Sequence, residues 1–212
     1  MHRTRIKFCG MTSASDVALA VAAGVDAVGV IIVPASPRYV EPGALASLAD
    51  AIPPFVARIG VVTAPGDAVA SRLRALGFTL QFSDEESPAD CARLADNAAY
   101  IKAFHLPVDA RVESLDVAAF ERYRGALWMF DSRVGEKRGG TGIPFAWTAL
   151  GPLAQRRPIT VSGGLTPSNV AACVRTVRPY AVDVRSGIET SDRKDPEKMR
   201  AFVEAVRRAD EG

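Results

Sequence analysis

Three kinds of residue in this chain are suited to act together: a thiol, a carboxylate and a pair of Ser-Gly turns. Cys9 ends the apolar run Ile6–Gly10. A thiolate can serve as a general base, but a free thiol is mostly protonated at neutral pH and needs a cation beside it. Lys7 lies two residues back, on the same side of an extended strand. It is therefore either the helper of Cys9 or the ion-pair partner of Asp183. Asp131 follows the hydrophobic run Ala126-Leu127-Trp128-Met129-Phe130. Partial desolvation after such a run raises a carboxyl toward the range of a general acid; the alternative is a loop-start Asp that caps its own turn. Ser162-Gly163-Gly164 and Ser186-Gly187 each follow a short apolar segment. Glycine lets backbone approach an anion closely, and free N–H groups at such turns hydrogen-bond it. Arg38, stiffened by Pro37, suits a two-pronged grip on a carboxylate, unless it is simply a solvated surface arginine. Gly135 to Gly142 is Gly-rich and reads either as a surface loop or as a flap supplying N–H groups to phosphate. It does not match the Gly-Lys-Ser/Thr phosphate loop, which excludes a nucleoside triphosphatase of that type.

Eight strand–helix units position these residues. Strands are expected at Ile6–Gly10, Ala27–Val33, Ala57–Val62, Thr79–Phe82, Tyr100–Phe104, Ala126–Phe130, Ile159–Ser162 and Ala181–Val184. Several are continuous apolar runs, as required where both faces are covered. Helices are expected at Asp16–Ala23, Gly43–Ala51, Asp67–Leu76, Ala89–Ala95, Leu115–Tyr123, Phe145–Leu150, Pro167–Val177 and Glu197–Ala209. Thr12, Ser13 or Ser15 caps the first and Gly24 stops it. This alternation predicts an α/β fold, a single (β/α)8 TIM barrel of parallel strands over residues 1–212, with a doubly wound open sheet as the alternative. In such a barrel the residues at the carboxyl ends of the strands converge, and the loops after strands seven and eight bind phosphate. Cys9, Arg38, Ser83, Asp84, Asp131, Ser162, Asp183 and Ser186 all fall at or near those ends.

The 212 residues, 48% of them hydrophobic, suffice for one domain with a sizeable core. A net charge of +2 with scattered basic residues gives no support to nucleic-acid binding, though it leaves room for a small anionic substrate. The three cysteines have no metal-ligand spacing and form no disulfide framework, which points to the reducing cytoplasm. Cys91 and Cys173 sit among alanines and valines as buried structural thiols. No signal segment or membrane span is expected.

Taken in order, Lys7-Phe8-Cys9-Gly10-Met11-Thr12, Ser36-Pro37-Arg38, Phe130-Asp131, Gly139-Gly140-Thr141-Gly142, Ser162-Gly163-Gly164-Leu165 and Asp183-Val184-Arg185-Ser186-Gly187-Ile188-Glu189 resemble the phosphoribosylanthranilate isomerases. The ordered set covers nearly the whole chain. The resemblance implies an Amadori rearrangement of N-(5-phosphoribosyl)anthranilate in tryptophan biosynthesis, with Cys9 as general base and Asp131 as general acid. It implies that Arg38 holds the anthranilate carboxylate and that backbone at Gly140, Gly142, Gly163, Gly164, Ser186 and Gly187 holds the phosphate. Asp183 joins this substrate-binding set. No metal or organic cofactor is implied, and the partners are a small phosphorylated substrate and, at most, a second copy of the chain: monomer or homodimer. One departure stands out. After strand four the family usually reads Gln-Leu-His-Gly, and here Gln81-Phe82-Ser83-Asp84 stands instead.

Overall fold

The computed structural model describes residues 3–107, 110–134, 137–138 and 147–212. Eight parallel strands run β1 (Arg5–Cys9), β2 (Ala27–Ile31), β3 (Ala57–Val62), β4 (Thr79–Phe82), β5 (Tyr100–Pro107), β6 (Ala126–Val134), β7 (Ile159–Val161) and β8 (Ala181–Val184). Each hydrogen-bonds to its neighbour in sequence order, and β8 returns to β1, so the sheet closes. The predicted barrel is correct and the open sheet is not. Closure leaves the barrel without an exposed edge.

The helices are α1 (Ala14–Ala23), α2 (Leu45–Ala51), α3 (Asp67–Ala75), α4 (Pro88–Leu94), α5 (Val117–Glu121), α6 (Gly151–Arg156), α7 (Val170–Val177) and α8 (Pro196–Asp210). Ser13 is the cap of α1, accepting from the Asp16 N–H, and Gly24 ends the helix at φ 89°. The sixth helix departs from expectation. A 3-10 turn occupies Trp147–Ala149, and the α-helix follows it at Gly151–Arg156, beyond the expected end at Leu150. Pro152 stands in the first turn of this helix, where proline costs no hydrogen bond and presets φ for a helix start. α7 begins at Val170 rather than Pro167, although the Val170 N–H already bonds to the Thr166 carbonyl at 3.0 Å.

Alternation along each strand divides the apolar residues into two populations. One faces outward and packs under the helices, among them Phe8, Val28, Val30, Phe82, Trp128 and Phe130. Phe8 meets Phe202 of α8 edge to face at 5.9 Å between centroids. The other lines the barrel axis. Ile59, Ile101, Ala103 and Met129 form one interior cluster, and Cys9, Ile31 and Val61 form another. The chain's two ends are tied as well, since Asp210 accepts from the N–H of Thr4 at 2.8 Å and its hydroxyl at 2.6 Å. Cys91 and Cys173 are fully buried. Among the described residues no helix is long and apolar enough to cross a membrane.

Candidate active site

Interior positions change character toward the carboxyl ends of the strands. On β1 the interior residues are Lys7 and Cys9, opposite Ala27 and Gly29 of β2. Gly29 leaves room for them: a methyl group at its Cα would sit 2.9 Å from Cys9 Sγ and 3.1 Å from Lys7 Nζ, and both side chains would have to shift. On the other side Lys7 registers with Asp183 of β8. Its ammonium donates to Asp183 Oδ1 at 2.6 Å, and Ser162 Oγ of β7 donates to Oδ2 at 3.1 Å. Of the two roles considered for Lys7, the ion pair with Asp183 is formed, and the same ammonium also stands beside Cys9.

Both charges of this pair are almost wholly withdrawn from water. Burial would lower the Lys7 pKa, but the adjacent carboxylate outweighs it and holds the ammonium above its ordinary value. Burial pushes the Cys9 thiol up, with Lys7 pulling against it and Asp183 reinforcing it. In the unliganded chain Cys9 is therefore a protonated thiol, and Lys7 alone does not make it a thiolate.

A cavity of about 240 Å³ opens above these residues. Cys9, Ser83, Asp84, His105, Asp131, Ser162, Gly163, Gly164, Asp183, Arg185 and Ser186 contribute to its wall. Cys9 and Asp131 thus meet in one cavity although 122 positions separate them in sequence. Asp131 lies within β6, which runs on to Val134, and so is not a loop-start cap.

Two glycine turns form a further wall. Gly163 and Gly164 have φ of 84° and 66°, where a side chain would be strained. Among the described residues no backbone acceptor takes their N–H groups. Ser186 and Gly187 open a 3-10 turn directly after β8. Gly187 does not line the cavity but packs against the other loop, where a methyl group would collide with the Leu165 carbonyl. That contact packs the two turns against each other.

Arg38 is placed differently. Its guanidinium grips Glu189 in two-pronged fashion, Nε to Oε1 at 3.2 Å and a terminal nitrogen to Oε2 at 2.9 Å, and also reaches Asp192 at 3.0 Å. It lines a neighbouring cavity with Gly10, Thr12, Asp16 and Lys194 rather than the one holding Cys9 and Asp131. Lys194 links the two, donating to Glu189 Oε1 and to the Cys9 carbonyl, each at 2.7 Å. Burial opposes ionisation of Glu189, but its bonds to Arg38 and Lys194 prevail and hold the carboxyl below its ordinary value. Gly140 and Gly142 lie outside the described residues.

The β4–α4 loop, where Ser83 and Asp84 replace the expected His-Gly, is fixed from below. Glu86 and Lys102 form a buried pair at 2.8 Å. Glu86 also accepts from the N–H groups of Ala64 and Asp84, both at 3.0 Å, and Lys102 donates to the Asp84 carbonyl. Asp84 and Arg185 line the same cavity.

Three participants were not anticipated: His105, Glu86 and Lys194. His105 could have been found. Strand five was expected to stop at Phe104, and one more residue in phase with Ile101 and Ala103 places this imidazole at the strand's end. Lys194 and Glu86 carry no such sign, because neither lies on a barrel strand: Lys194 sits in a two-residue strand paired with Glu189–Thr190, and Glu86 in the β4–α4 loop.

The family model described as N-(5'phosphoribosyl)anthranilate (PRA) isomerase matches residues 6–205. A relative from Ralstonia nicotianae, named N-(5'-phosphoribosyl)anthranilate isomerase, is 42% identical over 99% of this chain and 95% of its own. The crystal structure of phosphoribosyl anthranilate isomerase from Thermotoga maritima superimposes with a TM-score of 0.83 at 31% identity, covering 96% of this chain and 98% of that one. A structure of phosphoribosyl anthranilate isomerase in complex with reduced 1-(o-carboxyphenylamino)-1-deoxyribulose 5-phosphate gives a TM-score of 0.80 at 30% identity, covering 96% and 98%. With a matched segment spanning all eight strands and this identity over nearly the full length, the chain belongs to the phosphoribosylanthranilate isomerase family.

Proposed function

We propose that this chain isomerises N-(5-phosphoribosyl)anthranilate to 1-(2-carboxyphenylamino)-1-deoxyribulose 5-phosphate in tryptophan biosynthesis. The observation that carries the reading is the shared cavity of Cys9 and Asp131, walled by the Gly163-Gly164 and Ser186 turns. Asp131 gives its proton to the furanose ring oxygen as the C1–O bond breaks, and the nitrogen lone pair forms the C1=N iminium. The Cys9 thiolate then removes the proton on C2, and the electron pair moves to C1=C2 and neutralises the iminium. The resulting enaminol tautomerises to the ketone.

The order of steps answers the problem posed by the buried thiol. A cation created at C1 favours the thiolate beside it, so Cys9 releases its proton to solvent and becomes a usable base only after the ring has opened. The rearrangement opens one C–O bond and moves protons between substrate and protein with no net gain or loss of electrons, so the reaction as written calls for neither metal nor redox cofactor. Among the described residues no group of three or more His, Cys, Asp or Glu is placed to hold a metal ion.

The turns after β7 and β8 are assigned to the phosphate, and Gly140 and Gly142 to the same group from the loop after β6. Arg38 is assigned to the anthranilate carboxylate, which requires it to exchange Glu189 or Asp192 for the substrate. Asp183 acts within the site through Lys7 and Ser162. The requirement for a reduced Cys9 and a phosphorylated substrate fits a cytoplasmic setting.

A lyase that closes the rearranged product, 1-(2-carboxyphenylamino)-1-deoxyribulose 5-phosphate, to an indole would need lysines in the cavity. Lys7 is bound to Asp183, and Lys102 is held below the loop by Glu86. Mass analysis of the product decides between the two, because isomerisation conserves mass while ring closure loses carbon dioxide and water. Loss of fluorescence of phosphoribosylanthranilate with no change in mass is the expected result; no turnover, or a lighter product, would overturn the assignment.

A further inference from the structure

Arg185 follows β8 directly, two residues beyond Asp183 and so on the axis side of the strand. It is half-buried and lines the cavity shared by Cys9 and Asp131. Its stem turns toward β1. A methyl group added to Gly10 would stand 3.4 Å from Arg185 Cγ and 3.4 Å from Arg38 Cγ, so the two arginines flank one glycine. β7 lies on the opposite side of β8, which sets this side chain away from the Gly163-Gly164 turn. The two arginines differ in what holds them. Arg38 is committed to Glu189 and Asp192. The Arg185 guanidinium has no hydrogen-bond or ion-pair partner among the described residues, and Asp183 beneath it is already bound by Lys7 and Ser162. A half-buried cation without a counter-charge calls for an anion in the cavity, and a planar guanidinium fits a carboxylate in two-pronged fashion.

We infer that Arg185 is a specificity-determining residue that holds the aryl carboxylate of the substrate from inside the reaction cavity. The inference rests on the isomerase reading above and deepens it. Such a substrate brings two anions, a phosphate and a carboxylate. The phosphate is assigned to the turns after β7 and β8, and the Arg185 stem runs the other way, over Gly10. Arg38 reaches the carboxylate only by releasing an acidic partner. Arg185 has none to release. The carboxylate therefore lies above Gly10, where the arginine of this cavity meets it first and the arginine of the neighbouring cavity stands alongside.

Two substrates separate a grip on the carboxylate from a grip on the phosphate or an effect on Cys9. One is phosphoribosylanthranilate, and the other is N-(5-phosphoribosyl)aniline, the same compound without its carboxylate. Arg185→Gln keeps the stem against Gly10 and removes the charge. It is expected to raise KM for phosphoribosylanthranilate at least about tenfold, the worth of a charge-assisted hydrogen bond. For the aniline compound the constant should stay within about twofold of the unaltered chain's; where that compound is not turned over, its inhibition constant is read instead. Arg185→Lys, which keeps the charge and gives up the fork, should raise the first constant by about threefold, and it carries the test if the Gln chain folds poorly. An equal rise for both compounds would overturn the inference, because the arginine would then serve the phosphate or the thiol. An unaltered KM for phosphoribosylanthranilate in both variants would overturn it as well while leaving the isomerase intact. An unaltered chain that does not turn over phosphoribosylanthranilate would overturn both readings together.

Discussion

The two ends of the barrel axis hold cavities of opposite character. The lower one, at the amino ends of the strands, measures about 500 Å³ and is lined largely by apolar residues, including Ile59, Ile101, Leu127 and Met129. The upper one measures about 240 Å³ and gathers Cys9, Asp131, Asp183, His105, Arg185 and two glycine turns. Size favours the lower cavity and chemistry favours the upper one. A reaction needs groups whose protons and charges change, so convergence of such groups identifies the site better than volume. The division follows from strand polarity, which sends every helix-ward loop to the same end.

The sharpest way to break this comparison is to disturb the upper end. Lys7→Met leaves Asp183 buried without its counter-charge and is expected to cost about 3–5 kcal/mol of stability. The double substitution Lys7→Met, Asp183→Leu removes both charges and should recover most of that loss. Denaturant unfolding of the three chains tests the point, and equal loss in the single and double variants would show that the pair itself stabilises the barrel.

Gly187→Ala probes the turn that joins the two loops proposed to hold the phosphate. The added methyl collides with the Leu165 carbonyl, so the loops must part. KM for phosphoribosylanthranilate should rise by roughly tenfold or more, as about 1.4 kcal/mol of binding is lost. A KM unchanged at equal stability would remove this turn from the phosphate site.

At the lower end Met129→Ala should behave in the contrary way. Its loss enlarges an apolar space and is expected to cost about 2–3 kcal/mol in unfolding free energy. Steady-state kinetics on the folded chain should show KM and kcat within about twofold of the unaltered values. A KM shift as large as that of Gly187→Ala would mean that the two ends are not independent.

The smallest effect per group concerns pH. Burial raises the thiols of Cys9 and Cys91, the latter to about 12, and of Cys173. The folded chain therefore keeps its thiol protons while the unfolded chain releases them above about pH 8.5. The stabilisation is complete below that pH and is lost as pH rises toward the folded values, at about 1 kcal/mol per thiol per pH unit. Unfolding curves at pH 8 and pH 9.5 should show the decline. A flat profile would mean that the thiols are not desolvated in solution.

Much of the architecture could be read from sequence because hydrophobic alternation and glycine stops are local. The hydrophobic pattern alone places all eight strands within a few residues and sets Cys9 and Asp131 at or near strand ends. What escaped depends on distance. Nothing in Lys194 or Glu86 reveals that each reaches back to a strand-end segment, because those bonds form only after the barrel closes. The choice between two partners for Lys7 likewise required the β8–β1 register. Arg38 shows the limit from the other side: its rigid setting and its appetite for a carboxylate were legible, while its pairing with Glu189 and Asp192 was not.

The central claim is tested most directly by turnover of phosphoribosylanthranilate in three chains: unaltered, Cys9→Ser and Asp131→Asn. General acid–base groups contribute roughly a hundred- to ten-thousandfold each. The unaltered chain should convert the substrate without change of mass, and each variant should fall by at least about a hundredfold while keeping its fold. Near-unaltered turnover in both variants would contradict the account.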